Sequence, residues 1–96
     1  MEGVTITRRD HGTKGEYVAH VAGSSFIGRL TWVADSGARV AEHTIVPPEI
    51  GGRGVAAALV DALIADARSE GFRVRPQCSY VAAAFRRHPE WAGLAA

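Results

Sequence analysis

The apolar and polar positions of this chain change period three times along its length. Val4-Thr5-Ile6-Thr7 alternates with the two-residue period of a half-buried strand. Asp10-His11-Gly12-Thr13-Lys14-Gly15 is turn-forming, and the β-rich run Glu16 to Val21 follows it, so the two strands are expected to form a hairpin. Beyond the turn Ala22-Gly23-Ser24-Ser25, the segment Phe26 to Val33 places Phe26, Leu30 and Trp32 on one face and Arg29 and Thr31 on the other. Asp35-Ser36-Gly37 turns the chain again, and Arg39 to Val46 reads as a fourth strand of an antiparallel meander. From Gly54 to Glu70 the period becomes helical. Val55, Leu59, Leu63 and Ala67 form a stripe that Val60 and Ile64 widen, and Gly71 ends it. Phe72 to Pro76 reads as a short strand whose pairing ends at Pro76 or lies at an edge. Ser79 is expected to cap a last helix over Tyr80 to His88, ended by Pro89.

This order, β-β-β-β-α-β-α, predicts an α+β fold with a mostly antiparallel sheet. Its β-loop-α-β portion is a right-handed crossover that sets the fifth strand parallel to the fourth. The chain of 96 residues makes a single domain over residues 1–96, long enough for one core. With 47% hydrophobic and 22% charged residues, no low-complexity tract and no repeat, it has the composition of a globular domain.

A net charge of +1 removes any bulk electrostatic argument for nucleic acid, and no basic-aromatic stripe supplies a local one. The basic residues are arginines apart from Lys14, a bias that phosphate or carboxylate recognition and coding composition both produce. One cysteine, Cys78, cannot form an internal disulfide. The opening MEGVTITRRDHG lacks a signal-peptide core, and no run approaches the ~20 apolar residues of a membrane span. The expected compartment is the cytoplasm, with no membrane and no nucleic acid as partner. Four histidines and one cysteine at scattered spacings make no metal signature.

The most informative stretch is Pro47-Pro48-Glu49-Ile50-Gly51-Gly52-Arg53-Gly54-Val55-Ala56. It is not a P-loop, since GxxxxGK(S/T) is absent and no lysine follows Lys14. Gly52-Arg53-Gly54-Val55-Ala56-Ala57 fits the dinucleotide pattern GxGxx(G/A), but four antiparallel strands precede it and too little chain follows for that fold. A third reading is strand, proline turn, glycine loop and helix. Glycines reach positive φ and let successive N–H groups converge on an anion, while the helix N-terminus adds unpaired N–H groups and the positive end of its dipole. A pyrophosphate fits such a place. The glycines alone leave a loose corner equally open.

The stretch V-P-P-E-x-G-G-R-G-V-A-x-x-L resembles motif A of the GNAT superfamily of acetyl-CoA-dependent N-acetyltransferases, in which (Q/R)-x-x-G-x-(G/A) follows the fourth strand. Together with the downstream P-x-C-S-Y-V and R-H-P-E, residues 42–91 are similar to a subfamily of very short GNAT-like proteins. The resemblance implies a trimmed GNAT fold in which the parallel pair splays around an acetyl-CoA cleft. It implies that the backbone of Gly51, Gly52, Arg53, Gly54, Val55 and Ala56 cradles the pyrophosphate of coenzyme A. Ile45 and Val46 would pair through their backbone with the pantetheine arm. Gly51 stands where the motif has Gln or Arg, so that side-chain contact is missing and the backbone carries the anion, with Arg53 nearby.

Acetyl transfer needs a neutral amine, donors for a developing oxyanion and a proton for the departing thiolate. Backbone N–H groups around Val46 can serve as the oxyanion donor. In many GNAT enzymes the last helix begins with Asn and carries a tyrosine acid two turns later; the positions aligned with these are Cys78 and Phe85, and Phe85 has no proton to give. Cys78 near a helix N-terminus is therefore a candidate acid or acyl-accepting nucleophile, with a small buried hydrophobe as the alternative. Tyr80 is a second candidate donor, or a packing residue. Glu42 and His43 point to opposite faces by the strand period, and the H-T-x-V resemblance favours His43 as base or substrate contact, a merely hydrogen-bonded His being the alternative. His88, Pro89 and Trp91 are read as closing the last helix on the core. Arg86 and Arg87 are read as a solvated face that can also reach a coenzyme A phosphate. Two functions stay open: an acetyl-CoA-dependent N-acetyltransferase acting on an amine, as monomer or homodimer, and an acyl-CoA-binding module without efficient turnover.

Overall fold

The computed structural model describes residues 3–96. Its strands are β1 (Val4–Asp10), β2 (Lys14–Val21), β3 (Ile27–Asp35), β4 (Ala38–Ile45) and β5 (Arg73–Pro76); its α-helices are α1 (Val55–Glu70) and α2 (Ser79–Arg87). Short 3-10 turns lie at Pro48–Ile50 and Pro89–Leu94. The sheet order is β1-β2-β3-β4-β5, antiparallel except for the parallel pair β4·β5. This is the mixed fold that the change of period predicts. Ser36 and Gly37, both at positive φ (52° and 82°), make the tight β3–β4 turn whose twist matches the flanking strands.

Alternation sends one set of strand residues against the helices. Tyr17, Ala19, Val21, Leu30, Trp32, Ala41 and Val74 meet Val55, Leu59, Leu63 and Ala67 of α1, with Val81, Ala84 and Trp91 completing the same contiguous core. The other set, including Glu16, Val18, Arg29, Thr31 and Val40, faces the opposite side of the sheet, where the described residues place no helix. At one end of the helical face the Arg39 guanidinium lies 3.9 Å over the Trp32 ring and 4.2 Å over Phe72. It donates to Tyr17 Oη at 2.9 Å, while Tyr17 donates to Asp66 of α1, which Arg8 also pairs at 2.8 Å. Helix and sheet are thus tied by a polar network as well as by packing.

Three expectations need correction. Phe26 does not join Leu30 and Trp32 inside: β3 starts at Ile27, the Phe26 N–H is held by Ser24 Oγ in the preceding turn, and Phe26 is 44% exposed. Ser79 is the first residue of α2 and not its cap; the N-cap is Cys78, without a side-chain capping bond. The strict alternation of Glu42 and His43 breaks down, because Trp32 pairs with Ala41 while Thr31 pairs with His43. Glu42 is the extra residue of a β-bulge. His88 closes α2 as expected, stacking on the buried Trp91 at 4.1 Å.

Candidate active site where two strands part

The parallel pair is short. It runs from Ala38↔Arg73 to Ala41↔Pro76 and stops, since Pro76 has no N–H to extend the ladder. One further bond, Cys78 N–H to the Ala41 carbonyl at 2.8 Å, holds the vertex. Beyond it β4 continues to Ile45 paired only with β3, so the edge from Glu42 to Ile45 that faces away from β3 has no strand partner among the described residues. The bulge at Glu42 falls at this same point and re-aims β4 as it leaves β5. Ile45 is 50% exposed, and Val46 is half-buried against the core.

β4 leads through Pro47 and the Pro48–Ile50 turn, anchored by the fully buried Ile50, into Gly51–Gly54. Gly52 and Gly54 have φ of 73° and 72°, the left-handed conformation that side-chain-bearing residues avoid. Gly54 is the N-cap of α1; no side chain caps this terminus and no acidic residue occupies its first turn. A Cβ on Gly52 would meet nothing within 4 Å, so the loop is open to an approaching ligand. The N–H groups that a helix leaves unpaired in its first turn, the helix dipole and the exposed Arg53 make this corner suited to an anion. The Gly51-to-Ala56 stretch expected to hold a pyrophosphate is thus one continuous corner at the end of the splay.

Cys78 sits at the vertex on the helical side. Its Sγ lies 3.4 Å from Thr44 Oγ1, across the opening from β5 to the free part of β4. Burial pushes the thiol pKa up, but Thr44 and the N–H groups of Val81 and Tyr80 stabilise the thiolate, and the net result lies below the ordinary thiol value. Tyr80 is half-buried on α2, with the Arg87 guanidinium 5.9 Å from its ring centre. His43 is exposed and pairs with Thr31, on the sheet face away from the helices and away from Cys78. Phe85 packs edge-on against Trp91 at 5.5 Å.

The structure therefore groups Cys78, Ile45, Val46 and the glycine corner along one splay, and leaves His43 on the other face. Two placements escaped the sequence reading. Thr44, the partner of Cys78, sits beside the candidate His43 and carried no signal of its own. Glu42 lines a concavity on the open face because of a bulge that period-two reasoning cannot anticipate. Among the described residues no group of three or more His, Cys, Asp or Glu is placed to hold a metal, and no helix is long and apolar enough to cross a membrane.

Against known proteins, residues 16–94 match the family model described as GCN5-related N-acetyl-transferase. No curated protein matches the chain. The matched segment runs from β2 to the last turn and contains the whole splay, the glycine corner and Cys78. The match takes in β2 to β5, with the parallel pair that opens at its end and the glycine-rich helix entry between β4 and α1, and the chain belongs to the GCN5-related N-acetyltransferase family.

Proposed function

We propose that this protein binds acetyl-CoA in the β4/β5 splay and transfers its acetyl group to an amine. The carrying observation is the continuous path from the unpartnered edge of β4 to an uncapped, acid-free helix terminus entered through two left-handed glycines. Backbone N–H groups of Gly52 to Ala56 hold the pyrophosphate, and Arg53 adds charge. The free edge at Ile45 and Val46 offers main-chain groups to an amide-bearing arm, as an added strand would. When bound, acetyl-CoA supplies a thioester carbon open to attack by a neutral amine.

Cys78 Sγ, at the vertex, holds the proton that a departing thiolate requires, and Thr44 Oγ1 with the α2 N–H groups accommodates the charge left on sulfur. Tyr80, in the first turn of α2, is the second donor within the same element. His43 faces the other side of the sheet, so its contribution is to substrate contact there. Phe85, packed on Trp91 in place of a tyrosine acid, favours the rival reading of an acyl-CoA binder with little turnover.

Thermal unfolding with acetyl-CoA tests binding. Ligand at 100 Kd stabilises by about 2.7 kcal/mol, which raises Tm by roughly 10–20 °C for a domain of this size. No shift at millimolar ligand overturns both readings. Thiol release over an amine panel then separates enzyme from binder, and full turnover by Cys78→Ala removes the assigned proton donor.

A further inference from the structure

The face of the sheet that no helix of the described residues covers holds a concavity of about 370 Å³. This is large enough for a small organic molecule, since such sites begin near roughly 300 Å³. His11 and Lys14, from the β1–β2 hairpin, stand on one side; Glu42, the bulge residue of β4, stands on the other. Between them β3 supplies Arg29 and Thr31, and β2 supplies Glu16.

The charges are arranged with a polarity. Arg29 and Glu16 neutralise each other in the floor through a two-armed bond of 2.9 and 3.2 Å. Among the described residues, Lys14 and Glu42 have no ion-pair or side-chain hydrogen-bond partner. Thr31, also in the floor, carries the one buried side-chain oxygen or nitrogen of the described residues without a hydrogen bond, Oγ1. Polar pairing is thus incomplete in this concavity. A cationic wall and an anionic wall, two strand spacings or roughly 10 Å apart at the backbone, face each other over a floor without net charge. The arms of Lys14 and Glu42 close that distance to the span of a small dipolar molecule.

Position connects this concavity to the splay. Glu42 directly follows Ala41, whose carbonyl holds the Cys78 N–H at the vertex. The anionic wall is therefore where the sheet opens, with Cys78 on the helical side and Glu42 on the open side.

We propose that this concavity binds a small zwitterionic amine, an α-amino acid or a molecule with the same paired charges. Its ammonium group lies on Glu42 and its carboxylate on Lys14 and His11. Its role as the acceptor rests on the acetyl-transfer reading above; the site itself does not. Two-dimensional amide spectra of the labelled protein, without acetyl-CoA, test it. The probes are leucine, phenylalanine and glutamine, each beside its decarboxylated amine and its N-acetyl derivative.

The expected result is amide shifts centred on Lys14, Thr31 and Glu42 with at least one of the amino acids. Both counterparts of that amino acid bind at least tenfold more weakly. Lys14→Ala removes the preference over the decarboxylated amine, and Glu42→Gln removes the preference over the N-acetyl derivative; the same spectra verify that each variant is folded. Equal affinity for the three forms, shifts confined to another region, or no response by roughly 10 mM overturns the proposal. Acetyl-CoA added afterwards is read at the amides of Gly52 to Val55. Amino-acid shifts without acetyl-CoA shifts support the site and overturn the acetyl-transfer reading; the reverse pattern overturns the site alone.

Discussion

Gly28→Ala tests how the sheet positions the anion corner. Gly28 lies buried in the inward row of β3, where a Cβ would fall 2.8 Å from Val55 Cγ1, 3.4 Å from Leu59 Cδ1 and 3.6 Å from Ala19 Cβ. Carbon atoms rest at about 3.5–4.0 Å, so Val55 must retreat by roughly 1 Å. Val55 and Leu59 are 2% and 0% exposed, and a helical valine has one preferred rotamer, so side-chain rotation gives little relief. The first turn of α1 has to lift. Overpacking of this kind costs about 1–3 kcal/mol, partly offset by about 0.4–1 kcal/mol from replacing glycine in the unfolded chain. A net loss near 1.5 kcal/mol lowers Tm by roughly 6–12 °C. Val55 directly follows Gly54, so the lift also displaces the N–H groups of the corner, and the folded variant is expected to bind acetyl-CoA at least about fivefold more weakly, equivalent to about 1 kcal/mol. Leu63→Ala is the control. It empties the fully buried middle of the same helix and costs about 2–5 kcal/mol, yet leaves the first turn in place. Calorimetry gives the stabilities, and titration below each Tm gives the affinities. A Gly28→Ala protein as stable as wild type, or one that binds acetyl-CoA equally well when folded, refutes the reasoning, as does an equal affinity loss in Leu63→Ala.

Other positions give sharper single readouts. Gly52→Ala has no steric neighbour within 4 Å, so only its φ of 73° opposes the change; a destabilisation of about 1 kcal/mol in urea unfolding is expected, and a neutral or stabilised variant argues against the left-handed corner. Alkylation of Cys78 as a function of pH should have its midpoint below that of an unperturbed thiol, and Thr44→Val should move it upward; coincident midpoints remove Thr44 as the stabilising partner. Asp66 is raised in pKa by burial but lowered more by Arg8 and Tyr17, so its folded value is depressed and its contribution is present above the unfolded carboxylate range and fades as pH falls through the folded value. Asp66→Asn is expected to cost about 1–3 kcal/mol at neutral pH, with the gap to wild type closing in acid; a gap that stays constant from pH 7 to strongly acidic solution contradicts this sign.

Much of the scaffold is legible because its sequence obeys one period at a time. Val4 to Thr7 alternates, the EYVAHV run is β-rich, α1 carries its stripe from Val55 to Ala67, and Gly71 stops it as a left-handed cap. The crossover follows from handedness once those elements are placed. What resists reading depends on pairs of strands. The bulge at Glu42 exists only in the register between β3 and β4, and Phe26 is lost from the inward row because a turn bond, not its own hydrophobicity, fixes its backbone. The glycine corner could be located from its residues, whereas the dipolar concavity could not, since His11, Lys14 and Glu42 meet only after the meander has folded. Cys78 lies between these cases: its place at the head of α2 is local, but its bond to Thr44 spans 34 positions of the chain.

The shortness of the parallel pair also bears on when the site comes into being. The antiparallel pairs zip outward from tight turns, with Asp35 beside Ala38 and Asp10 beside Gly15. Arg39 meets Val74 only after 35 intervening steps of chain have been drawn in, and four residue pairs repay the closure. Relative to a hairpin, that closure costs roughly 2 kcal/mol more entropy. It must be met by α1 docking on the meander before β5 can register. The meander, the helix and then the fifth strand is the order this balance favours. The vertex at Ala41 and Cys78 therefore belongs to the last step of folding, and a chain that has formed its sheet through β4 but not closed the crossover has a hydrophobic core in progress and no cleft at all.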